Sequence, residues 1–325
     1  MERPTKIRKT KNTDEHSWEV RSPVSLYHRC IQYIAQNLHM VDSFYGFPDL
    51  VAADIFKESE KCKKFEITSA ENDSLKNLQL FCEIYPDSVL SSLNLSTSCR
   101  ALNYWLEHFL VFSGLQSLDV SDCFLGDEHE ILSHIAHLKL LKSLNLRKNC
   151  LTDKGVSRFC APFKLFRRGP EHLTVLDVSE NGCISNRGIK MLQCFKDLQK
   201  VDITGTSVKV KEISNDWKVL PEKGEGLMSI KNEGWASHVV CKWMELATRT
   251  RDKDEHKTSK FYAIKKRIKS RISVQNVSKV SFVPQYRLVL HRIHHLKKVT
   301  APCVKIPTLT EQDNNMDAIM NLYKP

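Results

Sequence analysis

The run LKSLNLRKNCL, from Leu141 to Leu151, carries the pattern that decides the fold of this chain. Leu144 and Leu146 alternate with polar neighbours, as the residues of a short strand with one buried face do. Asn149 follows where a buried amide can bind backbone groups of the next turn. The pattern occurs five times in all, and its other copies read LSSLNLSTS from Leu90, LQSLDVSDCFL from Leu115, LTVLDVSENGCI from Leu173 and LQKVDITGTSV from Leu198.

This spacing resembles that of the leucine-rich repeat family, in which a unit of about 20 to 29 residues forms a strand and then a helix or 3-10 turn. The interval from Leu141 to Leu173 is longer, which indicates an insertion. One repeat buries its leucines only against the next, so the copies must form one solenoid. We therefore predict an α/β fold, a horseshoe-shaped leucine-rich repeat solenoid, with five repeats over residues 89–210.

The insertion and the outer face of the solenoid can also be placed. Apolar residues recur three and four positions apart after the second and fourth strands, which predicts helices there. The insertion, CAPFKLFRRGPEH, carries three cations among three large apolar residues between Cys160 and His172. Insertions on one face of a solenoid are frequently binding elements. The alternative is that the insertion only packs against the repeats.

Composition restricts the class of protein further. The chain has 325 residues, 41% of them hydrophobic, and a formal net charge of +11. Its 11 cysteines form no C-x-x-C pair, which favours reduced thiols in the cytoplasm or nucleus. No run approaches the roughly 18 apolar residues of a membrane span, and no secretory signal is evident. We expect a cytoplasmic or nuclear protein, a monomer, without membrane contact.

No pattern of catalytic residues supports an enzyme. The phosphate-binding G-x-x-x-x-G-K, the dinucleotide-binding G-x-G-x-x-G and the hydrolase G-x-S-x-G are all absent. Glu130, His134 and His137 share a helix face, but an exposed outer face gives no closed metal site. We therefore predict no reaction, no cofactor and no metal.

Four further segments surround the repeats. Residues 1–20 are basic, lack an apolar period and are predicted to be a disordered arm. Residues 21–88 contain amphipathic helices and are predicted to be an N-terminal cap. Residues 211–246 are predicted to be a C-terminal cap whose helix covers the exposed edge of the last repeat. Residues 247–325 are predicted to be a flexible, basic, largely disordered tail.

The N-terminal helices also resemble a known pair of docking motifs. The first resembles the elongin-binding box of ubiquitin-ligase substrate receptors, and the second resembles the cullin box that follows it. If the resemblance holds, elongin and cullin subunits are partners. The residues that match the first box are Ser25, Leu26, Cys30 and Ile34, and those that match the second are Phe47, Pro48, Val51 and Ile55. The alternative is that these helices only cap the solenoid.

A column of polar residues stands between the framework leucines and is predicted to face the concave side. Partner binding is one interpretation of this column. Support of the sheet edge is the other. The residues proposed for partner binding are Asn94, Asp119, Asn145, Arg147, Asp177 and Asp202.

The basic character of the chain is concentrated after Lys242, where Lys and Arg greatly outnumber Asp and Glu as far as Lys298. Such a segment attracts phosphate, so weak nonspecific nucleic-acid binding is one interpretation. A short nuclear-import signal is another, and it would consist of Lys265, Lys266, Arg267 and Lys269. A solvated tail without a role is the third.

Several longer runs resemble one branch of the leucine-rich repeat family, with cysteine-containing-like repeats and no assigned reaction. They are VDSFYGFPDL from Val41, LGDEHEIL from Leu125, LRKNCLTDKGV from Leu146, LDVSENGCISNRGI from Leu176, DITGTSVK from Asp202 and NEGWA from Asn232. The resemblance implies a protein-interaction module or scaffold whose partners are unknown proteins. A ubiquitin-ligase substrate receptor and a nuclear adaptor with nucleic-acid affinity are the alternatives.

Overall fold

The computed structural model describes residues 25–66, 73–96, 102, 108, 111–224, 226–246 and 286–293. A seven-stranded sheet runs through it in the order β1-β2-β3-β4-β5-β7-β6. The first five strands are parallel and in register. They are β1 (Ser92–Asn94), β2 (Ser117–Asp119), β3 (Ser143–Asn145), β4 (Val175–Asp177) and β5 (Lys200–Asp202). The alternation of strand and helix that the repeats predict is therefore confirmed.

The framework leucines align across the sheet as their spacing predicts. Leu118 pairs with Leu144, and Leu144 pairs with Leu176. All three side chains are buried. Full burial of one leucine stabilises the fold by roughly 1.5 to 3 kcal/mol. Burial of these three leucines therefore stabilises the contacts between neighbouring repeats.

The outer face carries the predicted helices, and the structure defines their ends. Within residues 111–224, three α-helices occur there, and the first and last each continue into a short 3-10 helix. They are α5 (Ile131–His134), followed by Ile135–His137, α6 (Asp153–Phe166), and α7 (Asn186–Met191), followed by Leu192–Cys194. At 14 residues, α6 is much longer than its neighbours and contains most of the insertion.

Buried amides fasten each turn to the next. Asn149 Nδ2 donates to Val120 O at 2.9 Å, and Asn181 Nδ2 donates to Leu146 O at 2.9 Å. Both side chains are fully buried. Each therefore satisfies backbone carbonyls of the preceding repeat that water cannot reach.

Among the described residues before the repeats, four α-helices surround a group of aromatic side chains, and we call this group of helices the N-terminal cap. They are α1 (Leu26–Gln36), α2 (Asp49–Lys61), α3 (Asp73–Ile84) and α4 (Pro86–Val89). Phe44 stacks on Phe81, and Phe56 stacks on Phe65, with ring centroids 4.5 and 4.6 Å apart. These rings and the repeats belong to one hydrophobic core.

Part of the predicted tail is a strand of the sheet. The strand β7 (Arg287–Arg292) pairs antiparallel with both β5 and β6 (Trp217–Glu222). Leu288, Val289 and Leu290 are buried in it. The prediction of one disordered tail over residues 247–325 is thus wrong for β7, because a short apolar run within a basic segment can bury itself against the last repeat. Residues 247–285 and 294–325 lie outside the described residues, as does the predicted arm of residues 1–20.

The C-terminal cap also differs from the prediction. After β6, the described residues 223–224 and 226–234, here termed the strap, lead back to the first strand, where Glu233 forms a bridge with Ser92. The following helix, α8 (residues 237–246), then packs on the N-terminal cap. Trp243 Nε1 donates to Phe65 O at 2.9 Å there. The helix predicted to cover the last repeat covers the opposite end instead, because β7 and β6 already occupy the last edge.

Candidate functional site

The polar column lies on one face of the sheet and supports the backbone. Each side-chain Oδ1 accepts a hydrogen bond from the N–H two residues later, at 2.8 to 3.0 Å. Asp119 and Asn145 are 6% and 7% exposed, and Asp177 and Asp202 are 1% and 0% exposed. Asn94, half-buried, also donates from Nδ2 to Ile230 O at 2.9 Å. These hydrogen bonds fix the turn after each of the five parallel strands.

Arg287 neutralises the acidic end of this column. Its Nη2 donates to Asp177 Oδ2 at 2.8 Å and to Ser179 Oγ at 3.1 Å, and its Nε donates to Asp202 Oδ2. The guanidinium is itself buried. Burial and the charge of Asp202 raise the pKa of Asp177, and Ser179 and Arg287 oppose this rise.

The strap lies over the same face. A Cβ added at Gly226 would be 3.3 Å from Arg287 Nη1, and Asn232 Oδ1 accepts from Asn94 N at 2.6 Å. The six strand intervals of the sheet amount to roughly 29 Å at about 4.8 Å each, and the 11 residue intervals from Glu222 to Glu233 can span up to about 36 to 40 Å, so this segment is long enough to cross the sheet. Asp119, Asn145, Asp177 and Asp202 are buried on this face. Asn145 donates to Asp119, and Arg287 donates to Asp177 and Asp202, so each of the three carboxylates has a side-chain partner.

Arg147, the remaining member of the predicted partner surface, is different. Its side chain is 37% exposed, and its Nη2 lies 3.8 Å from Glu180 Oε1. It therefore keeps a solvent-accessible charge beside the covered column.

The predicted elongin-like box is largely exposed on α1. Ser25 begins the helix, and its hydroxyl accepts a hydrogen bond from His28 N at 3.3 Å. Leu26 is 78% exposed, and Cys30 is exposed. Ile34 packs, half-buried, against the core. The pattern alone did not identify Tyr33, which is 66% exposed and one turn beyond Cys30.

The predicted cullin-like box is divided between surface and core. Phe47 is 39% exposed and Pro48 is exposed, whereas Ile55 is fully buried and Val51 is half-buried. Ile55 and Val51 therefore stabilise the cap. Exposed apolar side chains near this segment, which the pattern did not identify, are Met40, Tyr45 and Leu50.

The predicted nuclear-import signal, metal ligands and membrane spans can be compared with the described residues. Lys265, Lys266, Arg267 and Lys269 lie outside the described residues. Within the described ranges, His, Cys, Asp and Glu side chains form no group of three that could hold a metal ion. In those same ranges, the helices are all too short or too polar to cross a bilayer.

The parallel ladder, the buried asparagines and the outer helices define a leucine-rich repeat protein. A leucine-rich repeat family model matches residues 137–160 and 169–192. The chain is similar to leucine-rich repeat-containing protein 42 of vertebrates. The identity is 34% with the rat protein over 74% of this chain and 60% of the relative, 34% with the human protein over 76% and 60%, and 35% with the zebrafish protein over 71% and 58%. The chain thus spans about 60% of the length of these relatives.

Proposed function

We propose that this chain is a non-enzymatic protein-interaction module that binds its partner through the outer surface of the N-terminal cap. The observation that supports this is the exposed stripe of Leu26, Cys30 and Tyr33 on α1. Their spacing of four and three residues places them on one helix face. An apolar helix stripe of this kind inserts into a groove on a partner protein.

Exposed apolar side chains also occur between α1 and α2 and in the first turn of α2. Met40, Tyr45 and Leu50 are 69%, 86% and 82% exposed. Single exposed apolar residues are ordinary, whereas several in one region mark interaction sites. Of the six residues predicted for partner binding, Arg147 keeps a side chain that is 37% exposed. It is a secondary candidate for partner contact.

Proximity labelling of the full chain in cells would test whether the exposed stripe on α1 binds a partner protein. We expect the double variant Leu26→Asp/Tyr33→Asp to lose labelled neighbours that the wild type retains. Phe124→Asp is the matched control, because Phe124 is also an exposed apolar residue, at 69%, but follows β2 in the repeats. Identical neighbours for all three proteins would contradict the proposal.

A substrate receptor of an elongin/cullin ubiquitin ligase is the second candidate. The specific observation in its favour is that Leu26 and Cys30 are exposed together on α1. Purified elongin subunits should bind the full chain, and Leu26→Asp/Cys30→Asp should abolish binding while Phe124→Asp preserves it. Because Ile55 is in the core, a cullin contact would use Phe47, Pro48 and Leu50. Failure of the wild-type chain to bind elongin would end this candidate.

The third candidate, a nuclear adaptor, depends on the basic segment that contains Lys265, Lys266, Arg267 and Lys269. Deletion of residues 265–271 should reduce binding to RNA and move the protein from nucleus to cytoplasm. RNA binding by the wild type should weaken steeply with salt, with a slope of about −0.7 per phosphate contact in a log–log plot. Equal localisation and equal RNA binding of the two proteins would reject this candidate.

A further inference from the structure

The end of α6 projects from the row of outer helices. Whereas α5 ends after four residues and α7 after six, α6 continues to Phe166. Arg167 ends it in the left-handed conformation, with φ of 53°. Leu165 and Phe166 are each 70% exposed, and Lys164, Arg167 and Arg168 beside them are exposed as well. Two large apolar side chains thus stand in solvent within a group of three cations.

The neighbouring repeats add charge along the same edge of the sheet. Thr174 N donates to Lys142 O, and Gln199 N donates to Thr174 O, both at 2.8 Å, so the segments that enter β3, β4 and β5 lie side by side. Lys139, Lys142 and Lys196 are exposed in these segments. The acids there are Glu171 and Asp197, and Asp197 lies 3.1 Å from His172. We call this surface the basic edge, and it comprises Lys139, Lys142, Lys164, Leu165, Phe166, Arg167, Arg168 and Lys196.

The chain leaves the sheet at the basic edge after β7. Arg292 N donates to Gln199 O at 2.9 Å, and Arg292 Nη1 donates to Lys196 O at 2.6 Å. Everything that follows residue 293 therefore starts close to Lys196. The 18 intervals from residue 293 to residue 311 can span up to about 60 Å, far more than the roughly 10 to 15 Å between the strands concerned.

The sequence beyond this point contains a segment of complementary chemistry. Residues 311–323 read EQDNNMDAIMNLY. On a helix, Met316, Ile319, Met320 and Tyr323 would share one face, since they are spaced i, i+3, i+4 and i+7. Asp313 and Asp317 would flank that face. The segment thus combines acids with an apolar stripe, in a region of the chain that is otherwise basic.

We propose that residues 311–323 of this chain bind the basic edge, with the apolar stripe on Leu165 and Phe166 and the carboxylates at Lys164, Arg167 and Arg168. Arg guanidinium groups bind carboxylates through paired hydrogen bonds, and burial of the two exposed side chains adds an apolar contribution. Because the segment is tethered, its effective concentration at the surface is on the order of millimolar. This favours it over an acidic segment from another protein.

Zero-length carbodiimide cross-linking of the full chain tests the proposal. The reagent activates a carboxylate, the Lys amine in contact with it attacks, and an amide forms while the carbodiimide takes up the elements of water as a urea. We expect mass spectrometry to find links from Lys164, Lys139 or Lys142 to Asp313 or Asp317. Their yield should not change on dilution, because the contact is within one molecule.

Substitutions on both sides give the controls. Leu165→Ser/Phe166→Ser should reduce the links severalfold while the repeats stay folded, as a cooperative thermal transition would show, since neither side chain belongs to the core. Met316→Asp/Met320→Asp should do the same, whereas Ala318→Ser, on the opposite helix face, should not. Links that are absent, that persist in these variants, or that vanish on dilution would overturn the proposal. Dilution-sensitive links would indicate docking between copies. The outcome is independent of partner binding at α1.

Discussion

Arg287 Nη2 lies 2.8 Å from Asp177 Oδ2 and joins two segments of chain that are 110 residues apart. The same guanidinium binds Asp202. The Arg287 guanidinium thus forms ion pairs with two carboxylates that are almost completely buried. Removal of one partner of a buried ion pair leaves an uncompensated charge and costs about 3 to 5 kcal/mol.

We therefore expect Arg287→Met to lower the free energy of unfolding by about 3 to 5 kcal/mol in chemical denaturation. The matched control is Arg158→Met, since Arg158 pairs at 2.8 Å with Glu128, which is 90% exposed. Solvent-exposed pairs contribute about 0 to 1 kcal/mol. Equal losses for the two variants would show that β7 is not held by its acidic contacts.

Stability should depend on the protonation of His291. Burial, and then the charge of Lys200, hold the pKa of His291 below its ordinary value of 6.5, although Glu222 opposes this. The folded state therefore favours neutral histidine, and this contribution is present above pH 6.5 and is lost as the pH falls from there towards the lowered pKa. One proton changes the free energy of unfolding by at most about 1.4 kcal/mol per pH unit.

Denaturation curves between about pH 5 and 7.5 would measure this effect. The wild type should lose stability more steeply below pH 6.5 than His291→Gln, which cannot take up the proton. Parallel curves for the two proteins would assign the pH dependence to other groups.

Gly188→Ala should destabilise the junction between the third and fourth repeats. Asp153 Oδ1 accepts from Gly188 N at 3.0 Å, and a Cβ at Gly188 would lie 2.6 Å from that oxygen. Overpacking of this kind costs about 1 to 3 kcal/mol. Gly182→Ala is the control, because the nearest atom to its new Cβ would be 4.0 Å away. Equal melting temperatures of the two variants would contradict the contact.

Leu144→Ala should open a cavity between two neighbouring repeats. Leu144 is fully buried and pairs with both Leu118 and Leu176. The expected loss in the free energy of unfolding is about 2 to 5 kcal/mol. Leu26→Ala, at a position that is 78% exposed, should leave unfolding nearly unchanged. A melting transition of Leu144→Ala at the wild-type temperature would show that the register is wrong.

Some close contacts could be read from the sequence only in retrospect. LTDKGV from Leu151 and the fourth repeat's ISNRGI from Ile184 place a glycine three residues after a hydroxyl residue. In the structure, the Thr152 and Gly155 backbone N–H groups donate to Asp127 of the preceding repeat. The glycine at the same position of both repeats was a signal for this contact. The residue that requires Gly155 to be a glycine is Asp127, whose carboxylate is more than 25 residues away in sequence.

The repeat register was determined by the sequence alone, because each strand and turn obeys short-range periodicity and neighbouring units repeat the same contacts. Leu144, Asn149 and the outer helices therefore lie where the pattern predicts them. The strap, β7 and the pairing of Arg287 with Asp177 were decided by tertiary structure only. Antiparallel pairing with a distant segment has no periodic signal, and a basic composition conceals a six-residue strand. The accessibility of the polar column depends on that distant packing and not on the repeats themselves.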